Sequence, residues 1–411
     1  MKILSSVILI LLLAQLLSAQ EWNQWRGPAR DGSVAARDAP RTWPEQLRQT
    51  WRVEVGEGYS SPVVSGGRIF VSSRRDPDEL VVALNLADGK VLWTQKYPAA
   101  FQKNQYAVAM AKGPNATPLV NGKRLFTLGV TGVLVAWDTA TGRELWKRDF
   151  SKSIDTSKLF CGTAASPLMV DGRLILQVGS DIHGGQIVGL DPATGSSLWE
   201  WQGAGPGYAS PVVITVEGQP QIVTLTQESI IGLDGKSGKE LWSAPFPDEW
   251  HENIMTPLWT GASLIVSGTR QGTHAYTLKR TAGQWQATER WKNTEVAMYM
   301  SSPVYADGLI YAHSSKRKGQ FVAMDAETGA LKWATEGREG EHASLLSTPE
   351  HIIFLTNNAE LIVAKRRQPN FVVERRYEVA KSATWAMPVL LGGNILVRDA
   401  SGVMLLTSEP K

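Results

Sequence analysis

Cysteine is nearly absent: Cys161 is the single copy among 411 residues. An internal disulfide is therefore excluded, and the fold must stand on packing and strand pairing. A lone thiol of this kind reads as a small buried hydrophobe. Charge is equally uninformative, since 42 Lys and Arg against 39 Asp and Glu leave a formal net charge of +3. That is too little to argue for nucleic acid or for an anionic membrane as a partner. The sequence also lacks a Walker-type loop, a Rossmann fingerprint, a zinc-ligand spacing and a Gly-x-Ser-x-Gly elbow. No catalytic residue and no metal site can be assigned from spacing.

Residues 1–19 read as a signal peptide. Lys2 supplies the positive start, residues 3–17 are apolar apart from Ser5, Ser6 and Gln15, and Leu17-Ser18-Ala19 resembles a cleavage site. No Cys follows the apolar run, so lipid attachment at a mature N-terminal Cys is excluded. A periplasmic or secreted chain is expected, without a membrane span after cleavage.

Tryptophan and glycine are abundant, at 16 and 38 copies, and their placement is regular. Residues 136–146 (AWDTATGRELW) recur at equal length as 83–93, 189–199, 232–242 and 323–333. Each copy reads as a strand end, a tight turn and the start of a second strand. The Asp (Asn85 in the first copy) accepts hydrogen bonds from the turn's own amides, and the Gly supplies positive φ. The Trp is an apolar wedge for a neighbouring unit. Such marks, about 40–55 residues apart, define a repeat architecture.

A second mark is a small hydroxyl residue followed by Pro at the start of a strand. It occurs at Ser61-Pro62, Thr117-Pro118, Ser166-Pro167, Ser210-Pro211, Thr256-Pro257, Ser302-Pro303 and Thr348-Pro349, with Met387-Pro388 as a degenerate eighth. Hairpin turns follow, as at Asn121-Gly122 and Asp307-Gly308. Each unit is thus four antiparallel strands, and there are eight units. Unit five ends at Trp291 after a longer hairpin, and unit seven carries Tyr377 where Trp is expected. Unit eight has only three strands, while residues 49–55, containing Trp51, form an orphan strand at the other end. Pairing the orphan into the last unit closes a ring without open sheet edges. The expected fold is an all-β, eight-bladed β-propeller over residues 49–407, preceded by an extended arm over residues 20–48 laid on the body.

The A/G-x-D-x-x-T/S-G-x-x-x-W hairpin with its S/T-P openings resembles the tryptophan-docking repeat of the pyrroloquinoline quinone (PQQ)-like eight-bladed propellers. The opening WNQWRGPARDG looks like the N-terminal segment of exported bacterial members of that superfamily. The resemblance implies one of two functions. Some members are dehydrogenases with PQQ and calcium in the funnel on the propeller axis; others are cofactor-free scaffolds, including the outer-membrane-protein assembly lipoprotein. Fold alone does not choose between them. The dehydrogenases usually carry a vicinal disulfide against the quinone, and Cys161 is followed by Gly162.

Strand order places the hairpin turns on one face and the long loops on the other. Five of the six His (His183, His251, His274, His313 and His342) fall on the long-loop face. The binding candidates there are Tyr59, Asn115, Tyr208, His251, Glu252, Asn253, Glu341 and His342, with the pairs His251-Glu252 and Glu341-His342 nearest the axis. Arg74-Arg75 reads as a solvated loop tip. Trp93, Trp146, Trp199, Trp242, Trp291 and Trp333 are structural docking residues. The expected function is that of an exported, monomeric, non-enzymatic scaffold that binds a protein, peptide or small ligand through this funnel face and needs no cofactor. The alternative is a PQQ- and calcium-dependent oxidoreductase acting on a small alcohol or sugar.

Overall fold

In the computed structural model, the residues described are 21–102, 104, 112–152 and 159–409. The expected signal peptide, 1–19, lies outside them, as do parts of the loops 97–115 and 149–163. The described residues form eight four-stranded antiparallel sheets. Blades 1 to 7 are continuous stretches of chain, at 63–98, 119–149, 168–203, 212–245, 258–293, 304–334 and 343–378. Blade 8 combines Val389–Leu391, Asn394–Arg398 and Gly402–Thr407 with the N-terminal strand Arg48–Glu54, which pairs antiparallel to Gly402–Thr407. The ring is closed as the incomplete last unit and the orphan first strand require.

Burial within a blade follows from its position between two others. Arg68–Arg75 and Asp78–Asn85, the middle strands of blade 1, are buried along almost their whole length, whereas its outer strand Val91–Pro98 alternates. The core accordingly lies between blades. Phe126, Leu134 and Ala136 of blade 2 pack with Leu174, Leu176 and Val188 of blade 3, and blades 3 and 4 meet through Ile175, Ile187, Ile222 and Ile231.

The Trp hairpin explains how one blade registers on the next. Trp93, Trp146 and Trp291 lie over Gly142, Gly195 and Gly329 of the following blades, and Trp51 of blade 8 lies over Gly89 of blade 1. Their indoles donate to Thr139 O, Pro192 O, Ala326 O and Leu86 O at 3.1–3.2 Å. Each acceptor follows the turn Asp or Asn. Asp138 in turn accepts from Ala140 N, Thr141 N and Thr141 Oγ1. Trp199 lies over Gly238. Blades 5 and 7 have no turn Gly at the matching place, so Trp242 donates within its own blade to Gln221 Oε1 at 2.6 Å, and Trp333 packs on Phe371. In blade 7 the register that Trp holds elsewhere, opposite the residue before the bulge, belongs to Arg375 rather than Tyr377. Tyr377 stands two residues further on and donates to Pro44 O at 2.5 Å.

The hydroxyl-Pro openings have a common task around the axis. The amides of Met387, Ser61, Thr117 and Ser166 donate to the hydroxyls of Ser61, Thr117, Ser166 and Ser210 respectively, each in the next blade round. Thr256 N donates likewise to Ser302 Oγ. Each hydroxyl pairs a buried amide that would otherwise be left without a partner, and Met387 takes part through its amide alone. Thr348-Pro349 does not belong to the set: it follows the strand Ala343–Ser347 and forms that blade's hairpin turn, with Thr348 Oγ1 accepting from His351 N.

Residues 21–38 do not simply lie on the body. Glu21 accepts from Gly66 N in a hairpin turn, and the chain then rises along the axis and returns to a second hairpin turn, where Gly392 N donates to Asp38 O. On the way it touches every blade. Trp22 pairs with Val64, and Val120 N donates to Asn23 O. Arg30 donates to Ser166 O, Pro167 O and Pro211 O at 2.7–2.9 Å. Trp25 Nε1 reaches Thr256 Oγ1 at 3.1 Å, Arg26 reaches Pro303 O, and Val34 N donates to Ser347 O. Arg26 and Arg30 are buried, and burial pulls their guanidiniums down to about 10 and about 9. Both remain charged at neutral pH, and their positive charge is met by backbone carbonyl dipoles.

Candidate functional site

Above this axial segment, on the face opposite the hairpin turns, is a cavity of about 200 Å³. Its wall has a simple sequence rule. Tyr59, Asn115, Ala164, Tyr208, Ile254, Met300 and Trp385 each stand three residues before an opening Pro, and all of them line the cavity. The loop between blades arrives at the axis at that position before the chain turns down into the innermost strand. Ser166, Ser210, Thr256 and Ser302, which precede the same prolines, also reach the cavity, as does Trp25.

Five of the eight sequence candidates are therefore brought together: Tyr59, Asn115, Tyr208, Glu252 and His342. The other three are not. Asn253 is buried, and its amide donates to Thr226 O, Gln227 O and Phe246 O, which fixes the loop. His251 has φ 60° and does not line the cavity. Glu341 is exposed, with its amide bonded to Asn357 Oδ1 at 3.1 Å. Each of the two acid-His pairs is split, since only Glu252 of the first and His342 of the second line the cavity.

Two other histidines are structural. His274 and His313 lie in the strands Gly272–Thr281 and Leu309–Ser314, not in loops. His274 sits between Phe246 and Tyr276, bonded to Glu289 at 2.6 Å. Arg74 is likewise no solvated tip: it is buried, donates to Ala99 O at 2.6 Å and contacts Asp76 and Glu79.

The electrostatics of the cavity follow from burial. His342 stacks on Trp385 at 5.5 Å, with Tyr59 on Trp385 at 5.4 Å. Burial, with His313 nearby, holds the His342 imidazole down to about 3, so it is neutral at physiological pH. Burial raises the Glu252 carboxyl above the usual range, opposed by a hydrogen bond from Tyr299, whose own hydroxyl is pushed up. Tyr208 Oη accepts from Phe160 N at 3.0 Å and donates to Asp181 Oδ2 at 3.4 Å. Asp181 also accepts from Gln227 Nε2 at 2.8 Å. Among the described residues, Glu252 is the one carboxylate of the lining, and no Lys or Arg reaches it.

Trp25, Phe101, Phe160, Cys161, Tyr299, Met300 and Trp385 complete much of the wall and were not among the sequence candidates. Cys161 is half-buried and faces the cavity instead of the core. The offset from each opening Pro would have found Met300 and Trp385. Trp25 carries no such signal, since it arrives from a segment without strand periodicity.

The family described as outer membrane protein assembly factor BamB matches residues 30–112, 77–335 and 263–367 of the chain. The outer membrane protein assembly factor BamB of Aliivibrio fischeri is 35% identical over 102 residues, 24% of this chain and 25% of that protein. The polyvinylalcohol dehydrogenase of a Sphingopyxis species is 23% identical over 360 residues, 77% of this chain and 50% of the enzyme. The chain thus spans a quarter of the one relative and half of the other. Among solved structures, the quinohemoprotein alcohol dehydrogenase of Comamonas testosteroni superposes with a TM-score of 0.71 at 14% identity, over 97% of this chain and 82% of that one. That likeness establishes the shared fold. Among the described residues, no group of three or more His, Cys, Asp or Glu could hold a metal ion, and no helix is long and apolar enough to cross a membrane.

Proposed function

Because the chain belongs to the outer membrane protein assembly factor BamB family, we propose that it is an exported, non-enzymatic binding protein that works through the funnel-face cavity and the loops around it. The observation that carries this reading is the cavity wall. Much of it is built from aromatic, aliphatic and small side chains at one repeated position, and among the described residues no group of three or more His, Cys, Asp or Glu could hold a metal ion. Such a wall is suited to recognition by shape and apolar contact. Export rests on the apolar segment 1–19.

The likeness to dehydrogenases favours PQQ with calcium as a second reading, but the residues present do not fit that group. PQQ is a planar tricarboxylate and needs cations or a metal to balance it. The described lining offers one acid and no cation. The nearby buried guanidinium of Arg30 is committed to the carbonyls of Ser166, Pro167 and Pro211.

One pair of measurements separates the readings. Incubation with PQQ and calcium followed by gel filtration is expected to leave no quinone absorbance with the protein and no alcohol-dependent dye reduction. Ligand-observed NMR with neutral aliphatic and aromatic fragments is expected to show binding that is lost in Ala164→Trp, which fills the cavity from its own wall. Stoichiometric quinone with turnover would overturn the binding-protein reading. Fragment binding untouched by Ala164→Trp would move the site elsewhere.

A further inference from the structure

The cavity couples an aromatic wall with a single acid among its described lining residues. Its wall is rich in aromatic rings, with Trp25, Tyr59, Tyr208, Tyr299 and Trp385 contributed by the axial segment and four separate inter-blade loops. Glu252 is the one carboxylate of the described lining, which contains no described Lys or Arg; from outside the lining, Arg270 acts on it against Asp248 and Asp181. Resting on the proposal that the cavity binds a ligand, we propose that it is an aromatic cage for a monovalent organic cation, specifically a quaternary ammonium group.

Three arguments favour that ligand. Ring faces carry negative potential, so several indole and phenol rings around one space attract a cation, the more strongly when water is excluded. A neutral ligand would instead strip water from Glu252 and give it no counter-charge, which is costly for a carboxylate. The Tyr299 hydroxyl is the side-chain donor that Glu252 holds, and one hydrogen bond does not replace full hydration. Finally, a primary ammonium needs three acceptors for its N–H groups. A fully alkylated nitrogen needs none and presents apolar methyl groups to the rings. The volume, about 200 Å³, lies below the span of drug-sized pockets and suits a compact headgroup.

The arrangement also explains why His342 belongs in the wall. Held neutral by burial, it stacks on Trp385 without adding a competing positive charge. A Lys or Arg there would cancel the field of Glu252.

The test compares choline with its uncharged carbon isostere, 3,3-dimethylbutan-1-ol, by calorimetry and Trp fluorescence on the full chain. Choline is expected to bind at least about tenfold more tightly than the isostere. Glu252→Gln should lose that preference while leaving the isostere unchanged, and Glu252→Asp, which keeps the charge, should retain it. Trp385→Leu should weaken choline more than the isostere. Circular dichroism of each variant separates loss of binding from loss of fold, and the Asp variant keeps the test valid if the Gln variant fails to fold. Equal affinity for both ligands, or choline binding indifferent to Glu252→Gln, overturns the cation cage while leaving an apolar binding cavity standing. Absence of choline binding also overturns it, and the neutral-fragment measurement with Ala164→Trp then decides independently whether the cavity binds at all.

Discussion

Trp93 of blade 1 lies so close over Gly142 of blade 2 that a Cβ at position 142 would stand 2.7 Å from the indole. Gly142 also has φ 71°. Glycine is therefore required twice there, by the backbone and by the neighbouring blade. Gly122 has φ 59° with nothing within 4 Å of a built Cβ, so it carries the backbone requirement alone. Gly142→Ala is expected to destabilise clearly more than Gly122→Ala, whose cost is limited to about 1 kcal/mol of left-handed strain. Trp146→Ala, which removes the wedge itself, should cost about 3–5 kcal/mol and leave cavity binding intact. Urea unfolding checks both, and equal losses for the two Gly variants would refute the docking account.

Arg30 ties the axial segment to blades 3 and 4. Arg30→Met removes the donor to the carbonyls of Ser166, Pro167 and Pro211. Each unpaired buried carbonyl costs about 1–3 kcal/mol, partly offset because a desolvated guanidinium disappears with it. The expected result is a moderate loss of stability together with faster proteolysis of residues 21–47 than of the blades, read by mass spectrometry. Uniform protection of that segment would show that Arg30 is not its anchor.

His342 and His313 give the fold an acid dependence. Burial sets their folded values at about 3 and about 4, against 6.5 for the free side chain. Between those values the unfolded chain binds more protons than the folded one, so stability from this source is complete above pH 6.5 and is lost as pH falls toward 4. The ring signals of both residues should stay in the neutral form from pH 8 to 5 in an NMR titration. In His342→Gln, the fall in stability over that window should be shallower than in wild type.

Closure of the ring depends on a strand that is remote in sequence. Arg48–Glu54 covers Gly402–Thr407 and brings Trp51 onto Gly89. A chain starting after Glu54 would leave Gly402–Thr407 as an unpaired edge, and bare edges recruit other strands. Concentration-dependent association is expected by light scattering, with wild type unaffected at the same concentrations.

Much of the fold could be read from the sequence because its marks are local. Asp138, Gly142 and Trp146 each solve a problem posed within eleven residues or by an identical neighbour, so the same solution recurs. Where a neighbour changes, the reading slips: blade 7 has no turn Gly, and its Thr348-Pro349 and Tyr377 imitate marks whose places are held by other residues. The site was legible only in part. Glu252 lines the cavity while His251, with its left-handed backbone, and Asn253, held by three backbone carbonyls, do not, and loop residues give no period from which to read this. The burial of Arg74, His274 and His313 depends on partners such as Ala99 and Phe246, distant in the chain. Trp25 reaches the axis through contacts that no repeat encodes.

The axial segment has a bearing on ligand traffic. With Arg26 and Arg30 filling the middle of the ring and Glu21 and Asp38 tied at the hairpin face, the propeller is a cup and not a tube. Whatever binds at Trp385 arrives and departs through one mouth, past the same inter-blade loops. Residence time is thus governed by those loops alone, and substitutions on the hairpin face should leave both association and release rates untouched.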